Sequence, residues 1–289
     1  MPGQKNIALI CNSQAGYGFA LQVADRVSVI LRRKNVAHSI FTGYRPQVWD
    51  QFTDVWIVGG DGTLNYFINQ YPEFKLPLSV FAGGTGNDFH WLLYGNLSIE
   101  QQIETVLRST PQWIDAGMCN DKLFLNGVGV GFDGAVVKDL ISKNKFGKSK
   151  YHLAVLKNIF SYKEKLIKIQ APNYNPSSYL GGEEEFFFMI SIANGKRYGG
   201  SFYVAPKASI TDGLLDISVV SKVPLLHRLK YIPVIEKGKH LSLPFIKYFQ
   251  NETVQVTSKE PLHAHIDGEY LSSNSFKVKC LPRRFLFKW

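Results

Sequence analysis

A glycine cluster directly after an apolar segment constrains the fold of this chain more than any other feature. Residues 54–58 are apolar enough for a buried strand, Gly59-Gly60-Asp61-Gly62 follows at once, and helical spacing begins at Thr63 and continues to Gln70. Glycines between a strand and a helix let backbone N–H groups approach a phosphate, whose charge the helix dipole favours. The stretch therefore predicts a phosphate-binding turn. Its spacing matches neither the P-loop nor the dinucleotide fingerprint, and a tight turn alone would need one glycine.

A second glycine-rich stretch follows the next predicted strand, residues 77–81. It reads Gly83-Gly84-Thr85-Gly86-Asn87-Asp88-Phe89. In a parallel sheet the carboxyl ends of the strands meet at one edge, and ligands bind there. We therefore expect the two turns to lie side by side.

Strand and helix patterns alternate through residue 109, which predicts a parallel, Rossmann-like sheet. Residues 7–12 predict its first strand, 19–33 a helix and 38–42 a second strand. The tetrapeptide Ser-Ile-Glu-Gln at 98–101 matches a capping box, so a further helix should start there.

The chain changes character from Lys163 onward, where strand-like runs predict a mainly antiparallel β-sandwich with inserted helices. The predicted fold is thus an α/β domain with phosphate-binding turns, followed by a β-rich domain. We expect the first domain to span residues 1–118, the second 119–280, and strands within 281–289 to return to the first.

Net charge narrows the classes of partner. The formal charge is +10, and basic residues cluster at 32–34, 143–150, 163–168 and 283–284. A basic surface attracts nucleic acid, anionic lipid or nucleotide. The chain has no zinc-finger spacing and no aromatic RNA-binding signature, so we expect no nucleic-acid partner. Docking on an anionic membrane explains the charge better.

Three separated cysteines, Cys11, Cys119 and Cys280, show neither metal spacing nor a disulfide pattern, which favours a reducing compartment. No apolar stretch reaches the length of a membrane span. We therefore expect a soluble cytoplasmic protein that associates peripherally with the inner face of the membrane. The oligomeric state is not encoded in a recognisable pattern, and a homodimer is compatible with the sequence.

The two glycine motifs together, Gly59-Gly60-Asp61-Gly62-Thr63 and Gly84-Thr85-Gly86-Asn87-Asp88-Phe89, resemble the diacylglycerol kinase catalytic family. That family includes bacterial soluble lipid kinases and sphingosine kinases. The first motif alone is shared with NAD kinases and phosphofructokinase-like enzymes, whereas the pair is specific. The resemblance implies an ATP-dependent lipid kinase that transfers the γ-phosphoryl group to the hydroxyl of a diacylglycerol-like acceptor, with the lipid head group in a cleft between two domains.

The resemblance also implies nucleotide contacts in three loops and at one strand end. These residues are Asn12, Gly16, Thr42, Gly59, Gly60, Gly62, Thr63, Asn65, Gly84, Thr85 and Asn87. The loop at Asn12 departs from the family in having Ser13 where a proline is usual.

Two Mg²⁺ sites follow from the same resemblance. Asp61, Asp88 and Asp115 would surround a hydrated catalytic ion that bridges the β- and γ-phosphates, although a turn-capping role explains Asp115 equally well. A structural ion would be held by Asp212 with carbonyl groups of Ser209 and Leu214. Thr211 replaces the first acid of that turn, so the second site would be weaker or differently built.

Asp267, in Asp267-Gly268-Glu269, matches the catalytic aspartate of the family, which implies that it acts on the acceptor hydroxyl. Asp61 is the competing base. On a strand His263, His265 and Asp267 would share one face, and such a set could instead ligate Zn²⁺.

Other departures keep two alternatives open. Tyr66 stands where the family has glutamate, and His90-Trp91 stands where it often has Ala-Arg. The alternatives are an NAD kinase-like kinase of a soluble acceptor and a non-catalytic lipid- or nucleotide-binding regulator. The lipid itself stays open among diacylglycerol, phosphatidylglycerol, sphingoid bases and undecaprenol-like alcohols.

Two further patterns need an interpretation. Gly129-x-Gly131-x-x-Gly134 spells a dinucleotide fingerprint, but no acidic residue follows at ~20 positions, so packing explains it better. Residues 225–239 predict a basic amphipathic helix interrupted by Pro233. This helix could shape a lipid entry cleft or contact the membrane, although a core helix is the default interpretation.

Overall fold

A computed structural model describes residues 5–43, 45–142, 148–174, 184–200 and 202–289. The chain divides into two compact units. Unit 1 comprises Met1–Ile114 and Arg283–Trp289, and unit 2 comprises Asp115–Pro282. Of the features noted in the sequence, the basic residues within 143–147 lie outside the described residues.

Unit 1 alternates strands and helices, as the spacing of its apolar residues predicts. In chain order it contains β1 (Asn6–Cys11), a 3₁₀ turn (Ala15–Gly18), α1 (Phe19–Arg33), β2 (Ala37–Thr42), β3 (Asp54–Gly59), α2 (Asp61–Gln70), β4 (Leu78–Ala82), α3 (Asp88–Tyr94) and α4 (Ile99–Arg108). The strands pair in parallel in the order β2-β1-β3-β4. β3 is buried along its whole length, which accounts for its continuous apolar sequence.

The ends of these helices follow local chemistry. The predicted capping box at α4 is confirmed, since the Ser98 hydroxyl accepts the Gln101 N–H at 3.2 Å and the Gln101 side chain accepts the Ser98 N–H at 3.0 Å. α2 starts at Asp61 rather than at the predicted Thr63, because Gly60 occupies the N-cap position.

The last residues of the chain pack into unit 1. Phe287 pairs in parallel with Leu78 of β4, and the Lys288 backbone N–H donates to the Leu78 carbonyl at 3.0 Å. The Lys288 ammonium forms a buried ion pair with Asp54. The C-terminal segment thus adds a further parallel pairing at the β4 side of the sheet.

Unit 2 is β-rich, and the chain passes between the two units within two of its strands. It contains β5 (Gln112–Cys119), β6 (Lys122–Phe124), β7 (Gly127–Gly131), α5 (Phe132–Ser142), α6 (Lys148–Ser161), β8 (Lys165–Gln170), β9 (Glu185–Ala193), β10 (Leu215–Ser221), α7 (Leu225–Glu236), β11 (Ile246–Asn251), β12 (Thr253–Ile266) and β13 (Glu269–Phe287). The strands pair antiparallel in the order β11-β10-β9-β7-β12-β13, with β8 against both β12 and β9.

Two apolar cores fill unit 2. One lies within the strands and contains Phe124, Ile190, Val256 and Phe276. The other joins α5 and α6 to the opposite faces of β9 and β10 and contains Phe132, Val155 and Phe188. None of the described helices combines the length and the apolarity that crossing a bilayer requires.

Candidate functional site

The two glycine-rich turns lie side by side, as predicted. Their strands, β3 and β4, are parallel neighbours, and the Gly83 N–H donates to the Gly59 carbonyl at 2.9 Å. A Cβ on Gly60 would lie 3.0 Å from the Cα of Gly84, and a Cβ on Gly84 would collide with the Gly60 backbone. These two glycines therefore let the turns pack directly against each other.

The loop after β1 joins the same edge. The Asn12 side chain donates to the Thr63 hydroxyl at 3.0 Å, and its backbone N–H donates to the Val58 carbonyl at 3.1 Å. Gly16 has a φ of 58°, and a Cβ there would collide with the carbonyl oxygen of Gly83. The three loops predicted from the sequence thus meet at the carboxyl edge of the parallel sheet.

Gly62 differs from the other glycines of this edge. It is exposed in the first turn of α2, and apart from its chain neighbours and the nearby backbone of α2, no atom of the described residues lies within 4 Å of the place a Cβ would occupy. By contrast, a Cβ on Gly59 would lie 2.5 Å from the Thr63 hydroxyl. Gly59 and Gly60 therefore serve packing, while Gly62 leaves the N-terminus of α2 open to an anion.

Asp61 links the two turns. Its carboxylate accepts the backbone N–H groups of Asp88 at 3.0 Å and Phe89 at 2.9 Å, which are orphan donors at the start of α3. The Asp61 and Asp88 carboxylates both approach Gly86, where a Cβ would lie 3.1 Å from the first and 3.7 Å from the second. Two carboxylates, the ligand type by which a hydrated Mg²⁺ is bound, thus lie close together at this edge.

Asn87 shapes the second turn from within. It has a φ of 57°, its side-chain oxygen accepts the Gly84 N–H at 2.9 Å, and its amide donates to the Gly84 carbonyl at 2.8 Å. Thr85 is exposed at the tip of this turn, and Thr42 is exposed at the end of β2. Asn65 is buried in α2, whereas Tyr66 is 56% exposed.

Asp115 belongs to unit 2 and is buried there. Its carboxylate accepts the Gly213 N–H at 2.7 Å, and its own N–H donates to the Ile210 carbonyl at 2.7 Å. These bonds give Asp115 the turn-capping role that the sequence left open. No group of three His, Cys, Asp or Glu side chains in the described ranges is arranged to hold a metal ion. The trio of Asp61, Asp88 and Asp115 stays a prediction.

The turn expected to hold a structural ion contributes one carboxylate. Asp212 is exposed and accepts the Leu214 N–H at 3.1 Å, and the Ser209 and Thr211 hydroxyls lie 3.3 Å apart. Mg²⁺ keeps several waters and can be bound through one or two carboxylates. The turn is therefore chemically compatible with a largely hydrated ion.

Asp267 lies in a turn rather than on a strand. β12 ends at Ile266, and Asp267 and Gly268 have φ values of 47° and 87°, as expected for the two-residue turn of a hairpin. The Asp267 carboxylate accepts three backbone N–H groups, from Leu125 at 2.8 Å, Asn126 at 3.0 Å and Gly127 at 2.8 Å. It therefore joins the β12–β13 turn to the start of β7.

The predicted shared face of His263, His265 and Asp267 is wrong, because strand alternation stops before Asp267. His263 is half-buried beside Lys138 at 3.3 Å and the Tyr270 hydroxyl at 2.9 Å. His265 is 2% exposed, and burial lowers its pKa to about 4. The three side chains have separate surroundings and form no Zn²⁺ site within the described part of the chain.

An apolar cavity in unit 2 was not foreseen from the sequence. It has a volume of about 80 Å³ and is lined mainly by aliphatic and aromatic side chains. Val155 and Ile159 contribute from α6, Ile232 and Ile235 from α7, and Phe188 and Val220 from the sheet. The only available sequence signal was the apolar side of residues 225–239, because the lining residues are otherwise scattered over more than a hundred positions.

One wall of this cavity is polar. The Tyr198 hydroxyl donates to the Asp133 carboxylate at 2.5 Å and lies 3.1 Å from the Ser191 hydroxyl. Burial raises the pKa of Asp133 to about 6, although its bond to Tyr198 acts in the opposite direction. Such a cluster can exchange hydrogen bonds with a hydroxyl that enters an otherwise apolar space.

His265 packs behind this wall. Its ring centroid lies 4.9 Å from that of Tyr198, and a Cβ on Gly129 would lie 2.5 Å from its Nε2 and 2.9 Å from an Asp133 carboxylate oxygen. Among the described residues, Nε2 of His265 has no hydrogen-bond partner. The glycine of the rejected dinucleotide fingerprint thus leaves space for two buried titratable side chains.

Known proteins resemble both units. Residues 6–119 match the diacylglycerol kinase catalytic domain, and residues 126–286 match the YegS C-terminal NAD kinase beta sandwich-like domain. A diacylglycerol kinase of Bacillus subtilis (strain 168) is 28% identical over 225 residues, which cover 76% of this chain and 72% of the relative. A diacylglycerol kinase of Mycobacterium tuberculosis (strain CDC 1551 / Oshkosh) is 24% identical over 297 residues, covering 96% and 92%.

The fold is similar to a solved structure as well. A crystal structure of a diacylglycerol kinase from Bacillus anthracis str. Sterne superposes with a TM-score of 0.71 at 18% identity, and the match covers 100% of this chain and 98% of that one. The family match spans both units and agrees with the glycine motifs at the edge of the parallel sheet. This chain therefore belongs to the diacylglycerol kinase catalytic-domain family, with a YegS-type C-terminal domain, and is a lipid kinase.

Proposed function

We propose that this kinase transfers the γ-phosphoryl group of ATP to the hydroxyl of a diacylglycerol-like lipid. The observation that carries the proposal is the apolar cavity of unit 2 with its polar wall of Asp133, Tyr198 and Ser191. A lipid acceptor needs apolar surroundings for its acyl chains and a few polar groups near its hydroxyl. The cavity combines both.

The nucleotide half of the proposal rests on unit 1. Gly62 leaves the N-terminus of α2 accessible, and the helix dipole there favours the negative charge of a phosphate. The loop of Asn12, joined to Thr63, closes the same edge. Backbone N–H groups and small residues at this edge suit a triphosphate better than a bulky neutral ligand.

Mg²⁺ would neutralise the charge that develops on the β- and γ-phosphates during transfer. Asp61 and Asp88 are the side chains of unit 1 that would hold it, because both carboxylates approach Gly86 at the nucleotide edge. Asp61 is already oriented by the N–H groups of Asp88 and Phe89, so it needs little reorganisation to meet a cation.

Two aspartates are candidates for the residue that accepts or orients the proton of the acceptor hydroxyl. Asp267 was expected from the family motif, but its carboxylate already accepts three backbone N–H groups of its own unit. These hydrogen bonds stabilise the turn whether or not catalysis occurs, so they give Asp267 a structural role that is independent of the reaction. Asp61 also accepts two backbone N–H groups, but it lies among the phosphate-binding turns, and we favour it as the residue that orients the acceptor hydroxyl.

ATP and a membrane lipid are the partners that this proposal requires. We propose that the enzyme works in the cytoplasm, at the inner face of a membrane that contains anionic lipid. The net charge of +10 supports that location, because the attraction to anionic lipid is worth roughly 1 kcal/mol for each well-placed Lys or Arg.

A transfer assay with radiolabelled ATP over a panel of lipids and soluble alcohols tests the proposal. Label in diacylglycerol-like lipids is the expected result, whereas label in NAD would indicate a kinase of a soluble acceptor. ATP binding without transfer to any acceptor would indicate a non-catalytic regulator.

A substitution in the cavity tests whether the acyl chain of the lipid binds there. Ile232→Trp would fill space that we assign to an acyl chain, and Ile232→Leu nearly conserves the side-chain volume. We expect KM for the lipid to rise only in the tryptophan variant, with ATP binding unchanged. If the two variants retain equal activity and melt at similar temperatures, the acyl chain does not occupy this cavity.

A further inference from the structure

The outer face of α6 exposes large apolar side chains. Leu153 is 66% exposed, Leu156 44% and Phe160 52%. Their spacing of three, four and seven residues puts them on one side of the helix. The opposite side of α6 lines the apolar cavity with Val155 and Ile159. This helix is therefore apolar both toward the cavity and toward the surroundings.

The neighbouring helix repeats the pattern. In α7, Leu225 is 44% exposed and Leu229 is 39% exposed, one helical turn apart. Ile232 and Ile235 of the same helix line the cavity. Exposed leucines are ordinary when isolated, but apolar side chains that recur on one face indicate a contact surface.

Polar contacts hold the two helices side by side. His152, near the start of α6, lies 2.9 Å from Glu236 at the end of α7. At the other end, the Arg228 guanidinium donates to the Ile159 carbonyl at 2.9 Å. The helices are thus antiparallel neighbours, and we call the exposed side chains of Leu153, Leu156, Phe160, Leu225 and Leu229 the outer apolar face.

Exposed lysines lie on both helices and beside them. Lys150 and Lys157 of α6 and Lys222 and Lys230 near α7 are exposed, and Lys157 also pairs with Asp139 at 3.0 Å. A groove at the C-terminal end of α6 adds Lys138, Lys163 and Lys165. Exposed apolar side chains on helices that also carry exposed lysines match the surface of an anionic bilayer, whereas the lysines of a second copy of this basic chain would repel these lysines.

We propose that the outer apolar face inserts into the surface of a bilayer containing anionic lipid, and that an acyl chain passes from that bilayer into the cavity at the α6–α7 pair. The inference rests on the proposed lipid acceptor and adds the surface by which the enzyme reaches it. Because the inner sides of both helices line the cavity, this pair of helices separates the outer apolar face from the cavity.

Vesicle sedimentation of the full chain tests the insertion. The probe is a vesicle of equal parts phosphatidylcholine and phosphatidylglycerol, compared with phosphatidylcholine alone. The triple variant Leu153→Ser, Leu156→Ser, Phe160→Ser removes apolar contact from exposed positions and should leave the melting temperature close to that of the natural chain. We expect its binding to anionic vesicles to weaken ~10-fold or more.

A matched control changes exposed apolar residues elsewhere. Val48 is 59% exposed and Leu97 is 40% exposed, both in unit 1, so Val48→Ser with Leu97→Ser should bind anionic vesicles like the natural chain. Equal vesicle binding by the triple variant and this control would overturn the proposal. Self-association that the triple variant abolishes, without any change in vesicle binding, would show that the face contacts a second copy instead.

Transfer to a dispersed short-chain acceptor separates this inference from the proposed function. If the triple variant phosphorylates the dispersed acceptor normally but loses activity on vesicle-borne lipid, both statements stand. If the natural chain phosphorylates no lipid in either form, the proposed function fails, whatever vesicle binding shows.

Discussion

A Cβ on Gly60 would lie 3.0 Å from the Cα of Gly84, so these two glycines bring the ends of β3 and β4 into direct contact. Each glycine turn thereby limits the residues that the other can hold. Neighbouring Gly62 is open on the side where a Cβ would stand. The glycines of the first motif thus have different structural roles, and substitutions can distinguish these roles.

Gly62→Asp should abolish ATP binding while the fold persists. The new carboxylate would stand at the N-terminus of α2 and repel a triphosphate, whereas its Cβ would meet no described atom beyond its chain neighbours and the nearby backbone of α2. Calorimetric titration with ATP and thermal melting measure the two effects. Gly84→Ala is the contrasting variant, and we expect it to lower the free energy of unfolding by ~1–3 kcal/mol, since its methyl group meets backbone. Normal ATP affinity in Gly62→Asp would remove this turn from the nucleotide site.

Asp61→Asn and Asp267→Asn should fail in different ways. In Asp267→Asn, one N–H acceptor becomes a donor that faces the N–H groups of Leu125, Asn126 and Gly127. We expect a loss of ~1–3 kcal/mol in the free energy of unfolding. In Asp61→Asn we expect kcat to fall by ~10² to 10⁴.

Denaturant unfolding and steady-state kinetics at a temperature where both variants are folded distinguish these effects. If folded Asp267→Asn loses kcat as severely while Asp61→Asn stays within a few-fold of the natural chain, Asp267 is the base.

Asp133 and His265 should oppose each other in the pH dependence of stability. Burial raises the pKa of Asp133 from 3.8 to about 6, so ionisation of its carboxyl group lowers the free energy of unfolding. This loss is complete above pH 6 and disappears as the pH falls toward 4. Burial lowers the pKa of His265 from 6.5 to about 4, so protonation of its ring is disfavoured in the folded state. Its effect on the free energy of unfolding is absent above pH 6.5 and becomes a growing loss as the pH falls toward 4.

Each contribution is on the order of 3 kcal/mol. Because the two change in opposite directions with pH, they offset each other in the natural chain, and single substitutions should reveal each one. On acidification from pH 6.5 to 4, the melting temperature of Asp133→Asn should fall more steeply than that of the natural chain, and that of His265→Gln less steeply. Parallel profiles for all three proteins would contradict the assignment.

Asp212 gives a test for the structural metal. Asp212→Ala should reduce the rise in melting temperature that Mg²⁺ produces, because the exposed carboxylate is the side-chain anion of its turn. Asp121→Ala, at another exposed aspartate of unit 2, is a suitable control. Equal Mg²⁺-dependent shifts in both variants and the natural chain would exclude this turn as an ion site.

Local patterns in the sequence determined the strand–glycine–helix units, the capping box at Ser98 and the lipid kinase family. Each depends on residues a few positions apart, where spacing and backbone preference decide the outcome. The contact between Gly60 and Gly84 was also within reach, because parallel strands bring successive loops to one edge.

Only the tertiary structure decided which glycine faces open space, which amides meet Asp267 and where the apolar cavity lies. The donors to Asp267 come from Leu125, Asn126 and Gly127, about 140 positions earlier in the chain. The cavity likewise combines side chains of α6, α7 and the sheet. Such long-range contacts depend on how whole elements pack, and no short stretch of sequence carries that information.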